Sequence, residues 1–262
     1  DAAGARLFTA TWDARLWAIG EHRTAAGEAL LPGTGYLELV AEALKAQGET
    51  GAFEIRDLYF LRPLAIPEGA ARDMRLRLAR SDAGYDFAVQ SAAEAEPGGR
   101  VGFQLNAEGR IGFGLAPPRP LDIAAIEARC GEGLREDPAG LRSPQEAHLD
   151  FGPRWRVLRR EAYGPGPEGR GEGVARLALP AAFRGDLAAG WLLHPALMDL
   201  ATGWAMGLIA GYEPRHLWAP VSYGAVRVHG PLPAEIRSWV RNAGENRADA
   251  PFARFDVTLT DP

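Results

Sequence analysis

Two helical segments, each set among short strand-like runs, constrain the fold of this chain most. Residues 32–47, PGTGYLELVAEALKAQ, put Leu37, Val40, Ala41 and Leu44 at helical spacing. Pro32 suits a first helical turn, where its missing N–H costs nothing, and Gly48 closes the run. The stretches that follow are AFEIRDLYFLRPLAIP, MRLRLARSD, YDFAVQSA and RVGFQLNAEGRIGFG. They alternate in part and are broken by Gly, Pro and Asp, which predicts an antiparallel meander. The plan then recurs. A short helical segment is expected near 143–148, strands near 155–163 and 171–179, and a helix over about 195–210. Further strands are expected within VSYGAVRVHGPL, IRSWVRNAG and FARFDVTLTDP. A lone helix in a small unit buries its apolar face by having a sheet wrap it. The expected class is therefore α+β, with units at residues 1–115 and 141–262. The proline-rich, then helical, APPRPLDIAAIEARC opens a linker over 116–140. The repeat is one of architecture, without a repeated sequence.

Composition removes several function classes. The chain has 262 residues, 47% apolar and 24% charged, which is ample for a core. No apolar run approaches the roughly 20 residues that span a bilayer. The opening DAAGARLFTATWDARLW lacks the charged-then-apolar layout of a signal peptide, and the abrupt start and end suit a domain excised from a larger enzyme. Cys130 is alone, so no disulfide framework or cysteine-rich metal site forms, and a reducing cytoplasm fits. Net charge is −5, with Lys45 the one lysine and no basic stripe for nucleic acid. His22, His148, His194, His216 and His229 show no helical zinc spacing, so no metal is expected. Phosphate-loop, dinucleotide and GxSxG motifs are absent.

Two segments, one per half, carry residues suited to chemistry. The first joins His22 to Gly27, Pro32 and Gly33. The second is LLHPALMDLATGWAM, residues 192–206, where Asp199 lies in an otherwise apolar helix whose packing faces are Leu197, Leu200, Ala201, Trp204 and Leu208. A carboxylate there is solvated, hydrogen-bonded or functional, because an unpaired buried charge is costly. On the residues alone, Asp199 is either a solvent-facing edge position or a reactive acid. His22 is either a surface loop histidine or a base.

HRTAAGEALLPGTGYLEL resembles the first active-site motif of polyketide synthase dehydratase domains, His-x-x-x-Gly-x-x-x-x-Pro. HPALMDLATG resembles the second, His-Pro-Ala-Leu-x-Asp-x-x-x-Gln/His. LDFGPRWRVL is similar to the family's Tyr-Gly-Pro-x-Phe segment, and APVSYGAVRVHGPLP to the Pro-Phe/Val-Ser stretch before its late strands. The four segments fall in family order and cover almost the whole chain. The resemblance implies a double hotdog of two sheets, each wrapping a helix. It implies a hydro-lyase that removes water from a 3-hydroxyacyl thioester carried on the phosphopantetheine of an acyl carrier protein, without a cofactor of its own. The partners implied are that carrier, the other polyketide synthase domains of the module and a second copy in a homodimer, with no nucleic acid or membrane.

By the same carry-over His22 is the base at C2 and Asp199 the acid at the C3 hydroxyl, one from each half, with the substrate between them. The Gly33 N–H is a candidate donor to the thioester oxygen, beside Pro32 and Gly27; tight helix entry is the alternative reason for Gly33. Leu31, Tyr36, Phe151, Gly152, Pro153, Trp155, His194, Pro195 and Gly203 are expected around the pocket. Of these, His194 and Pro195 are expected to set the helix start, and Tyr36 to be core.

Four departures from the family pattern bear on outcome. The His22–Gly27 gap is one residue longer, so either the loop bulges or Leu31 takes the position usual for proline. Gly203 stands where Gln or His usually bonds the aspartate, so the partner is lost or comes from elsewhere. Phe151 lacks the phenol of the Tyr-Gly-Pro segment. Trp155 and Arg156 replace Phe-Gln and are expected to narrow the pocket. Related domains follow dehydration with double-bond migration or ring closure by a distal hydroxyl, and these stay open as alternatives. So do a non-catalytic scaffold and, less favoured, a hotdog thioesterase or hydratase.

Overall fold

The computed structural model describes residues 4–93 and 102–262. The chain divides into two compact units, Asp1–Pro118 with Ala219–Pro231, and Arg119–Trp218 with Leu232–Pro262.

The first unit contains β1 (Arg6–Asp13), α1 (Trp17–Gly20), β2 (His22–Thr24), β3 (Ala29–Leu30), α2 (Gly35–Ala46), β4 (Phe53–Phe60), β5 (Ala65–Ile66), β6 (Ala71–Ser81), β7 (Gly84–Ala92) and β8 (Phe103–Phe113). Arg100 and Val101, expected to open the last of these strands, lie outside the described residues. The second unit contains α3 (Ile123–Arg129), β9 (Glu132–Glu136), β10 (Leu149–Phe151), β11 (Leu158–Gly164), β12 (Glu172–Ala178), α4 (Gly185–Ala188) and α5 (Pro195–Gly203). Next in the chain comes β13 (Ser222–Val228), which returns to the first unit, and then β14 (Glu235–Asn242) and β15 (Phe255–Thr260) of the second.

Among the described residues, the first unit forms a six-stranded sheet in the order β1-β6-β7-β8-β4-β13, with every neighbouring pair antiparallel. Its inward positions, Ile55, Leu76, Leu78, Phe87, Val89 and Ile111, are buried, as are Leu37, Val40 and Leu44 of α2. Period-2 strands and a period-3.6 helix thus present one continuous apolar face to each other. The second unit repeats this with the antiparallel order β15-β14-β12-β11-β9, and α5 packs on β12 and β14. Trp204 donates its indole N–H to Ser238 Oγ at 3.0 Å, and that hydroxyl donates to Ala201 O at 2.7 Å. This pair fixes how far the helix end lies from the sheet.

The structure differs from the expected boundaries in two places. Residues 219–231 group with the first unit rather than the second. β13 pairs along β4, from Ser222 opposite Tyr59 to Val228 opposite Phe53, and so satisfies an edge that would otherwise be open. The expected linker is largely structured, and from Arg119 onward it belongs to the second unit. α3 is N-capped by Asp122, whose Oδ1 accepts from Ala125 N at 2.9 Å. It lays Ile126 and Cys130 against Ala162 and Val174 of the second sheet. Burial pushes the Cys130 thiol up to about 11, so it behaves as an apolar side chain. Arg129 pairs with fully buried Glu172 at 2.7 Å. Burial pushes the Glu172 carboxyl up, but Arg129 and the Trp239 indole outweigh it and hold the group below the usual carboxylate range.

α2 starts at Gly35, three residues later than the apolar spacing implies. Pro32 instead opens a turn, closed by Gly35 N donating to Pro32 O at 2.8 Å. The second central helix is α-helical only to Gly203 and continues as a 3-10 turn over Trp204–Leu208. β1 lies within the leading segment, which the sequence reading did not assign to a strand.

Candidate active site

His22 sits at the start of the β2–β3 hairpin. Its turn is closed by Thr24 N to Glu28 O at 2.9 Å and Gly27 N to Thr24 O at 2.8 Å. Gly27 adopts φ +87°, which a residue with a Cβ rarely takes. Gly27 is thus required by the turn, and the extra residue before it is absorbed in the loop. Arg23 clamps the hairpin by donating to Gly20 O and Gly27 O, each at 2.8 Å. His22 is 4% exposed, and its Nδ1 lies 2.8 Å from Leu30 O. A carbonyl oxygen only accepts, so Nδ1 carries the hydrogen, and the tautomer this selects has its lone pair on Nε2.

Leu31 is buried and its backbone N–H donates to Leu64 O at 3.0 Å, so it is not in a proline-like position. Gly33 lies ahead of α2, whose N-cap is Thr34. A Cβ on Gly33 would come 2.5 Å from Pro220 Cγ and 3.4 Å from Phe60 Cζ. The residue is small because the Pro-Val-Ser stretch crosses it. The turn's backbone bonds run from Gly35 N to Pro32 O and from Tyr36 N to Gly33 O, which sets Gly33 just before the positive end of the helix. Tyr36 is 3% exposed and packs edge-on against Phe60, centroids 5.5 Å apart. Its hydroxyl is buried without a hydrogen-bond partner among the described residues, and burial pushes the phenol above its usual range.

In the second unit, Pro195 begins α5 and His194 is its N-cap residue, with His194 O accepting from Met198 N at 3.0 Å. Ala196, Leu197, Leu200 and Ala201 are buried, while Asp199, Thr202 and Gly203 form the less buried strip. Asp199 is neither a solvent edge nor sealed in the core. Its Oδ2 accepts from Trp155 Nε1 at 2.8 Å. Trp155 is 1% exposed and ends the 3-10 turn Pro153–Trp155, entered through Gly152. Phe151, at the end of β10, stacks on it with centroids 6.1 Å apart and planes inclined 22°. The expectation that Trp155 narrows a pocket is therefore incomplete, because the indole also supplies a hydrogen bond to the carboxyl. Arg156 turns to Glu146 instead, at 2.6 and 2.8 Å.

His194 is fully buried and its Nε2 lies 3.5 Å from Asp186 Oδ2, which also accepts from Arg154 Nε at 2.7 Å. It ties the helix start to α4. Burial lowers its pKa from the usual 6.5, outweighing the nearby Asp186 carboxylate. The folded chain therefore takes up this proton less readily than the unfolded chain. Its contribution to stability is present above the unfolded value and is lost as pH falls from there through the lowered folded value. We expect the thermal midpoint to drop on acidification below about 6.5, and to drop less for His194→Gln. Paired melts across pH check this, and superimposable pH profiles would contradict it.

Sequence reasoning missed Gln145 and the indole bond. A Cβ built on Gly203 would have Gln145 Nε2 at 3.5 Å, so this amide occupies the space beside the glycine. The only sequence signal was the capping-box run Ser143–Glu146, which places the 3-10 turn but not its neighbour. Two cavities among the described residues hold none of the expected site residues. One, of about 270 Å³, lies along α2, β1 and β6, and the other, of about 400 Å³, is lined by Ala210, Gly211, Arg247, Ala248 and Asp249. No helix among the described residues is long and apolar enough to cross a membrane.

Residues 1–92 match the family model described as polyketide synthase dehydratase domain, and residues 118–262 the one described as polyketide synthase dehydratase N-terminal domain. Polyketide synthase PksM of Bacillus subtilis (strain 168) is 24% identical over 90% of this chain, and the spectinabilin polyketide synthase system protein NorA' of Streptomyces orinoci 30% over 88%. The chain spans 6% of the length of each. Among solved structures, the dehydratase domain from the CurF module of curacin polyketide synthase superposes with TM-score 0.81 at 21% identity, covering 98% of this chain and 88% of that one. A trans-AT polyketide synthase dehydratase domain from Brevibacillus brevis gives 0.79 at 20%, with 98% and 88% covered. The two sheet-wrapped helices are the two halves of a double hotdog, and this chain belongs to the polyketide synthase dehydratase domain family.

Proposed function

We propose that this chain removes water from a 3-hydroxyacyl thioester carried on the phosphopantetheine of an acyl carrier protein, as one domain of a multidomain polyketide synthase. His22 Nε2 takes the C2 proton. The electron pair forms the C2–C3 double bond, the C3–O bond breaks, and Asp199 gives its proton so that hydroxide leaves as water. Return of the proton from the imidazolium to the carboxylate resets both groups. The Gly33 N–H holds the thioester oxygen while negative charge builds there. Such chemistry needs one base, one acid and one donor, and no redox step.

The observation that carries this reading is the approach of His22 Nδ1 to Leu30 O at 2.8 Å. A buried imidazole whose Nδ1–H is committed to Leu30 O presents Nε2 as a base, and a neutral imidazole is the side chain suited to that task near pH 7. The CurK dehydratase has been solved as inactive mutants, one replacing a histidine by phenylalanine and one an aspartate by asparagine, which supports the same pair of roles here.

The test is incubation with 3-hydroxyacyl pantetheine thioesters of both C3 configurations, followed by mass spectrometry. Loss of one water with the thioester intact is expected. Free acid would indicate a thioesterase, and no change across isomers and chain lengths would indicate a scaffold. Chromatography of the dehydrated product separates a plain 2-enoyl thioester from an isomerised or cyclised one of equal mass.

A further inference from the structure

We infer that Trp155 is the positioning residue of Asp199, holding through its indole N–H the carboxyl that the helix itself leaves without a side-chain donor one turn away. The inference rests on the dehydratase reading above.

On α5 the position that faces Asp199 at i+4 is Gly203, which has no side chain to offer. Nothing in the backbone requires glycine there. Gly203 has φ −69° and ψ −28°, ordinary helical values, and an added Cβ would meet only Gln145 Nε2, at 3.5 Å, an ordinary contact. The donor comes instead from a segment 44 residues earlier, with Trp155 Nε1 2.8 Å from Asp199 Oδ2. That segment is built to hold one orientation. Gly152, Pro153 and the Trp155 N to Gly152 O bond of 3.1 Å fix the turn, and Phe151 stacks on the indole. The 3-10 turn packs directly on α5.

The pairing has a chemical consequence. An indole N–H donates only, so it always engages an acceptor oxygen and never the acidic proton. The carbonyl oxygen is the stronger acceptor of a protonated carboxyl, so with Oδ2 accepting from Trp155 the proton that Asp199 delivers is favoured on Oδ1. The indole thus selects which oxygen is the acid and fixes its direction. The bond also satisfies a buried N–H that would otherwise be costly, so each partner enforces the other.

The test compares wild type, Trp155→Phe, Gly203→Gln and the double variant on one 3-hydroxyacyl pantetheine thioester. Trp155→Phe is expected to lower kcat about tenfold or more, with KM changed less than about threefold. The double variant is expected to recover most of that loss, because a glutamine at i+4 restores a donor on the same helix face. If Trp155→Phe unfolds, replacing Trp155 by 3-benzothienylalanine removes the N–H at nearly constant volume, and the same kcat loss is expected. An active wild type matched in kcat by Trp155→Phe or by the benzothienyl variant overturns the inference. So does a double variant no faster than Trp155→Phe. A wild type that yields no enoyl product with any stereoisomer overturns the dehydratase reading first, and this role with it.

Discussion

His22→Asn is expected to lower kcat/KM for dehydration by about 10²- to 10⁴-fold, the usual worth of a positioned general base. The choice of asparagine follows from the geometry. Its side-chain amide can stand where Nδ1 stands and keep donating to Leu30 O, at 2.8 Å in the native chain, while Nε2 is gone. Alanine would also remove that donor and leave the carbonyl short of a partner, at a cost of about 1–3 kcal/mol. His22→Ala thus mixes lost chemistry with lost stability. The expected pattern is a large activity loss in both, with a clearly lower thermal midpoint only for the alanine variant. Steady-state turnover read by mass spectrometry and thermal melts on the same samples decide it. An asparagine variant within about threefold of wild type would remove His22 from the mechanism.

The architecture was legible where it rests on local periodicity. Leu37, Val40, Ala41 and Leu44 mark one face of α2 because burial of that face selects them, and all four are buried. The helix start was not legible to the residue, because Pro32 is equally suited to a turn closed by Gly35. Long-range pairing was legible least. β13 reads as a strand from its own residues, but its partner is β4, some 170 positions earlier, and only the unsatisfied edge of that strand decides the matter. The linker misled for a related reason. Its prolines signal an extended chain, while Ile126 and Cys130 find their apolar partners only once β11 and β12 exist.

The site divides in the same way. His22 and Asp199 stood out because each is chemically unusual in its segment. Gly203 stood out only by what it lacks. That the missing donor is an indole was invisible, since sequence separation says nothing about which side chain reaches Asp199. Gly27 and Gly33 illustrate the converse. Both lie in the motif, yet one is required by a positive φ and the other by the close passage of Pro220.

Asp199→Asn is expected to lower kcat by a further factor of the same order, about 10² to 10⁴, for loss of the general acid. Asparagine keeps a carbonyl oxygen to accept from Trp155 Nε1, so the fold around α5 is retained and the lost function is the proton. The two roles separate by leaving group. A 3-fluoroacyl thioester expels fluoride, which needs far less proton assistance than hydroxide, whereas the C2 proton must still be taken. With that substrate the Asp199→Asn penalty should shrink by at least about tenfold, while the His22→Asn penalty should persist, since the base is asked for the same work. Fluoride release measured beside enoyl formation gives both ratios. Equal penalties for the two leaving groups in Asp199→Asn would mean that the carboxyl acts by holding substrate rather than by giving a proton. A His22→Asn penalty that vanished with fluoride would mean that the imidazole serves departure of the C3 substituent. Each outcome reassigns a named atom, Oδ1 of Asp199 or Nε2 of His22, because the hydrogen bonds to Trp155 and Leu30 have already committed the other heteroatom of each side chain.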